Sequence, residues 1–150
     1  FEVSASGTND ILMIDSSTIN SNNLSDAAGT KMAAGGHTMA TYTGAVDLTT
    51  ATAGVAIIKA SALSYNAFSD VDTAIDAENI QLNATTDFAA GEGIVFTYYD
   101  IDGGHASVGY LESTSATGDF DASVTYVEFA RVTMTSTEFG NFDADNFDFM

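Results

Sequence analysis

The chain has no cysteine, no proline and no tryptophan, and only three cationic side chains, Lys31, Lys59 and Arg131. Each absence excludes something. Without cysteine there are neither disulfides nor thiolate metal sites, so stability must come from a core or from metal held by oxygen ligands. Without proline, strand edges lack one of their usual guards, and strand pairing between chains stays open. Against the three cations stand 21 acids, for a formal net charge of −18. Such a chain repels phosphate backbones and anionic lipid, which argues against nucleic-acid partners and membrane-surface roles. No apolar run approaches the roughly 18 residues of a membrane-spanning helix, so no membrane insertion is expected. The sequence opens at Phe1 without a charged or apolar leader, so a processed or partial chain is expected.

What is present suffices for one folded domain over residues 1–150. Hydrophobic residues make up 45% of the chain, with ten Phe and six Tyr, enough to build a packed core despite the charge. Fifteen of the acids are Asp and six are Glu, a bias toward turns and oxygen cages rather than surface helices.

An internal similarity runs at an offset of 44 residues. "ILMIDSSTINSNNLSDAAGT" (11–30) aligns without gaps on "VAIIKASALSYNAFSDVDTA" (55–74), matching Ile14, Ser17, Asn22, Ser25 and Asp26 to Ile58, Ser61, Asn66, Ser69 and Asp70. A weaker match follows, "MAAGGHTMATY" (32–42) on "FAAGEGIVFTY" (88–98). A duplication is expected, with units at about 10–48 and 54–100 that superimpose. Each unit opens on four apolar residues, the pattern of a strand covered on both faces. Ser25 and Ser69 then stand as helix N-caps, with Val71, Ala74 and Ile75 as the buried stripe of a short helix near 70–77. The C-terminal region, 93–150, reads as β: "GIVFTYY", "ASVGYLES" and "SVTYVEFARVTMT" are rich in β-branched and aromatic residues. Apolar parity changes between Val127 and Phe129 and Val132 and Met134, which a β-bulge near Ala130 and Arg131 would explain. "STEFGNFDADNFDFM" returns through a short turn to a final strand. The expected fold is mainly β and sandwich-like, with one or two short helices.

Three D-x-D pairs fall in the last fifty residues: Asp100 and Asp102, Asp119 and Asp121, and Asp143 and Asp145. Carboxylates one residue apart in a turn can face one ion together, and calcium takes six to eight oxygens, so Ca²⁺ is the expected metal. The segment "DIDGGHASVGYLE" is nevertheless no EF-hand, since Gly104 and Leu111 replace required ligands. An ordinary acidic hairpin is its alternative reading.

In its acidic, cysteine-free, lysine-poor composition the chain resembles bacterial RTX-type calcium-binding proteins exported by type I secretion. "FTYYDIDGGHASVGYLES" resembles the hairpin that often follows calcium-repeat arrays. "VEFARVTMTSTEFGNFDADNFDFM" is similar to the C-terminal ends of such proteins, with T-x-x-[DE]-F and an acidic-apolar tail. The likeness covers residues 54–150, and the calcium nonapeptide G-G-x-G-x-D is absent, so β-roll calcium sites do not carry over. The resemblance implies a secreted, extracellular bacterial protein with an uncleaved C-terminal signal near Asp148, Phe149 and Met150.

Signals of catalysis are thin. His37 and His105 each follow Gly-Gly but lack metal-ligand spacing, and no nucleophile elbow or phosphate loop is present. Glu112 and Glu128 would make a glycosidase pair if their strands were neighbours, but any β protein offers such pairs. A non-enzymatic role is therefore expected. The favoured one is calcium-dependent self-assembly into a matrix fibre or surface layer, a homo-oligomer or polymer joined through strand edges such as "FEVSA" or the last strand. The alternative is an adhesive or carbohydrate-binding module, with polysaccharide as partner and Tyr98, Tyr99 and Tyr110 as aromatic platforms beside Asp100 and Asp102.

Overall fold

A computed structural model describes residues 10–15, 38–42, 55–76, 90–114 and 124–149. It is mainly β, in two sheets with two short helices, a sandwich-like arrangement as expected. The elements are β1 (Leu12–Ile14), β2 (Thr38–Tyr42), β3 (Val55–Tyr65), α1 (Phe68–Asp76), β4 (Gly93–Asp100), β5 (His105–Ser113), β6 (Val124–Thr133), α2 (Ser136–Asn141) and β7 (Phe147–Phe149). Strands β2-β3-β4-β5-β6 form one sheet in sequence order, while β1 and β7 form a second, parallel pair. Strands β2, β3 and β4 run parallel; β4, β5 and β6 are antiparallel.

The three apolar C-terminal runs are β4, β5 and β6. Side chains alternate across a strand, so each carries two faces. Val95, Ala106, Val108, Tyr110 and Val132 point to one side, and there they meet Ile14 of β1, Phe147 and Phe149 of β7, and Phe139 and Phe142 of the α2 region. This shared cluster is the core between the sheets. A cation is built into it. Lys59, from the middle of β3, is 2% exposed and donates to the carbonyls of Phe142 (2.7 Å) and Gly140 (3.1 Å) where α2 ends. Its Nζ also lies 4.8 Å from the centre of the Phe139 ring. Burial lowers its pKa to about 8, with the charge of Asp143 working the other way.

The parity change in β6 is a bulge. Val108 pairs with Ala130 but Gly109 pairs with Glu128, so Phe129 has no opposite residue. It lies one position before the expected Ala130–Arg131. Its effect is to put Val127, Ala130 and Val132 on the core side and Tyr126, Glu128 and Arg131 on the other.

Two local readings are corrected. Helix α1 begins at Phe68, so Ser69 is inside its first turn rather than its cap; Asp70 reaches back to the Asn66 N–H at 2.9 Å instead. The expected turn in "STEFGN" is helix α2. Thr135 caps it, with its hydroxyl on the Glu138 N–H and the Glu138 carboxylate on the Thr135 N–H. T-x-x-E-F is thus a capping box followed by the buried Phe139.

The openings of the two repeat units are both strands, β1 and β3, and the second match pairs β2 with part of β4. Their neighbours differ: β3 lies between β2 and β4, whereas β1 pairs with β7. The helix expected at Ser25, and "FEVSA", lie outside the described residues.

Candidate functional site

"YYDIDGGHASVGY" forms the β4–β5 hairpin. The Asp100 carbonyl accepts from Gly104 N–H at 2.9 Å, and the Asp100 carboxylate accepts from Gly103 N–H at 2.7 Å. Gly104 has φ +61°, the left-handed conformation that suits glycine at the end of such a turn. The second Asp100 oxygen lies 3.8 Å from Nε2 of buried His105, while Asp102 is exposed. In the third pair, Asp143 caps the 3-10 turn Ala144–Asn146 by accepting from Asp145 N–H at 3.0 Å, and Asp145 is exposed. Asp119 and Asp121 lie outside the described residues, as does His37. Among the described residues no three His, Cys, Asp or Glu side chains converge on a position fit for an ion. Each paired aspartate that leads a described D-x-D therefore has a structural partner of its own.

Glu112 and Glu128 do lie on neighbouring strands. Tyr126 and Glu128 share the face of Leu111 and Gly109, so Glu112 is on the opposite one, and no catalytic pair forms.

The site that does form is on the sheet face away from the core. Side chains of β4, β5 and β6 line it, and the start of α1 makes its wall. Together Asn66, Phe68, Tyr98, Asp100, Tyr126, Glu128 and Arg131 enclose a cleft of about 410 Å³, within the roughly 300–1,000 Å³ of small-ligand sites. Local sequence explains its shape. Gly109 of β5 has no side chain, and a Cβ there would stand 2.4 Å from the Tyr126 ring; the glycine lets that ring lie across the strand. Phe68 stacks on the Tyr126 ring, 4.6 Å between centres and 14° between planes. Tyr98 is tilted against Tyr126 at 5.8 Å and is held from behind by the edge of Tyr65.

A polar network fixes the floor. Ser107 Oγ donates to Glu128 Oε2 at 2.5 Å and lies 3.0 Å from the Tyr126 hydroxyl. Arg131 Nε donates to Glu128 Oε1, also at 2.5 Å. Burial alone would raise the Glu128 pKa, but these bonds from Ser107 and Arg131 outweigh it and hold the carboxyl below its usual range. Burial raises the Tyr98 and Tyr126 hydroxyls, so both are neutral donors at physiological pH. The cleft thus presents aromatic surface beside a carboxylate, an amide and a guanidinium.

Of the expected aromatic platforms only Tyr98 reaches this cleft, since Tyr99 and Tyr110 belong to the core side. Among the described residues, Asp100 is the only expected metal ligand that lines it. Sequence reasoning missed Asn66, Phe68, Tyr126 and Arg131. Two of them lie on either side of the bulge, which breaks the alternation that would have joined them.

Comparison with family models, curated proteins and solved structures gives no match. Function is therefore argued from the cleft.

Proposed function

We propose that the chain is a carbohydrate-binding, adhesive module of an exported bacterial protein, acting outside the cell as a binder and not a catalyst. The observation that carries this reading is the cleft, where Phe68 and Tyr126 stand beside Asn66, Asp100 and Arg131. Sugars combine an apolar ring face with neighbouring hydroxyls. Aromatic rings cover the first, and planar two-atom groups such as carboxylate, amide and guanidinium pair with the second. The test is calorimetric titration with a panel of oligosaccharides. Phe68→Ala should weaken binding at least about tenfold, while circular dichroism shows the fold retained. Equal affinity in the variant, or no saccharide bound by the wild type, would refute the reading.

A second reading is self-assembly, and the edge of the sheet favours it. Strand β6 is an edge ten residues long, with Val127 and Phe129 52% and 40% exposed. An unguarded apolar edge invites pairing with another chain. Calcium belongs to this reading, because it both screens a charge of −18 and bridges carboxylates of two chains. Light scattering at fixed ionic strength, titrating calcium against sodium, tests it: a monomer throughout leaves only the adhesive module.

A further inference from the structure

Arg131 is exposed and Lys59 buried, so among the described residues the cleft holds the one cation open to solvent. The Nε–H of Arg131 is committed to Glu128, and the guanidinium makes no other hydrogen bond among the described residues. Arg131 lines the cleft, and its Nη groups are not held by another described residue. A guanidinium fork binds a carboxylate through two parallel hydrogen bonds, the geometry that would capture a uronic acid. Asp100 opposes that outcome. It lines the same cleft, and its charge, with that of Glu128, stabilises the Arg131 cation. Glu128 already balances Arg131, so Asp100 leaves the cleft with a net negative charge. A chain of net charge −18 adds to the field that an anion must enter.

We infer that Asp100 bars carboxylated saccharides from the cleft, so that the module takes uncharged sugars and Arg131 serves their hydroxyls. The inference rests on the carbohydrate reading and assigns its selectivity to a repelling charge. Asp100 has two tasks, since one carboxylate oxygen also accepts from the Gly103 N–H. Asparagine keeps an oxygen for that bond and removes the charge, so Asp100→Asn separates the tasks.

The experiment measures affinity for matched pairs that differ only at C6, neutral against uronic acid: glucose, galactose and mannose oligomers beside their uronates. All titrations are run in one buffer at one fixed ionic strength, so that screening is the same for both members of a pair. The wild type should favour the neutral member of its preferred pair by at least about tenfold. Asp100→Asn should bring the uronate to within about threefold of the neutral sugar, with the melting temperature retained. Adding Arg131→Gln to that variant should abolish the gain. Equal binding of both members by the wild type overturns the inference and leaves the carbohydrate reading intact. So does an unchanged preference in Asp100→Asn, or a gain that survives loss of Arg131. Wild-type binding to no member of the panel overturns the carbohydrate reading and, with it, the inference.

Discussion

The two faces of the five-stranded sheet come from the same strands, yet they carry different chemistry. On the core face Val95, Ala106, Val108 and Val132 meet a layer of phenylalanines, and the buried Lys59 has both carbonyl acceptors and a ring around it. On the cleft face Phe68 at the start of α1 stacks on Tyr126, and Ser107, Glu128 and Arg131 form a hydrogen-bonded chain beside the rings. Moving one residue along β5 exchanges one environment for the other, from Val108 to Ser107 or Gly109. Both faces bury apolar side chains, and on the second the partly exposed Asp100 and Glu128 and the exposed Arg131 leave charged groups within reach of solvent.

Breaking the core face should have the larger effect. Phe142 is fully buried in the aromatic cluster, and Phe142→Ala should cost about 3–5 kcal/mol, measured as a drop in the urea midpoint. A loss under about 1 kcal/mol would mean that the second layer contributes little to the fold. On the cleft face, Gly109→Ala puts a Cβ 2.4 Å from the Tyr126 ring and 2.7 Å from the Val127 carbonyl. That should cost about 1–3 kcal/mol and displace Tyr126, so saccharide affinity falls together with stability.

Alkaline titration separates buried Lys59 from the buried tyrosines by sign. For Lys59 the folded pKa is about 8 against 10.5, so between these values the unfolded chain holds the extra proton and stability rises with pH. The contribution of Lys59 alone from pH 8 to 10 should be about 2 kcal/mol, read as the difference between the wild-type and Lys59→Met profiles, because the tyrosines begin to offset it before pH 10. Tyr65, beside the cleft, has its pKa raised by burial to about 12 from 10.0. Above pH 10 the unfolded chain loses that proton first, so stability then falls. Denaturant midpoints across this range should pass through a maximum near pH 10. A monotonic decline from pH 8 would contradict the assignment to Lys59. The smallest effect belongs to Arg131→Gln. Its ion pair with Glu128 is exposed on the arginine side, so the denaturant midpoint should stay within error of the wild type.

Much of the core face was legible before any coordinates. The runs of β4 and β5 announce strands through β-branched and aromatic residues, and the tail reads as a final strand; its expected open edge is instead paired with β1, and Phe147 and Phe149 are buried. Helix α1 was legible from the Val71 stripe, although its first residue was not, because Ala67 and Phe68 carry no capping side chain. Helix α2 was missed although Thr135 and Glu138 spell a capping box. Six residues containing Gly140 and Asn141 read more naturally as a turn. The cleft was the least legible part. Phe68, Tyr98 and Tyr126 come from three separate elements, and only the parallel crossover from β3 to β4 and the β6 bulge bring them together. Asp100 was singled out for calcium on local spacing, whereas its neighbours in the cleft, Glu128 and Arg131, are far along the chain.

The pairing of β1 with β7 joins Leu12 to Phe147 and Ile14 to Phe149, and the Asn146 side chain donates to the Asp10 carbonyl at 3.1 Å. Closing so large a loop is entropically slow, and it cannot begin while the second partner is missing. The β1–β7 contacts form only once residues 146–149 have been made, so until then Ile14 has no Phe149. A chain cut before residue 147 would keep Phe139 and Phe142 against the sheet but lose the part of the cover that β7 supplies.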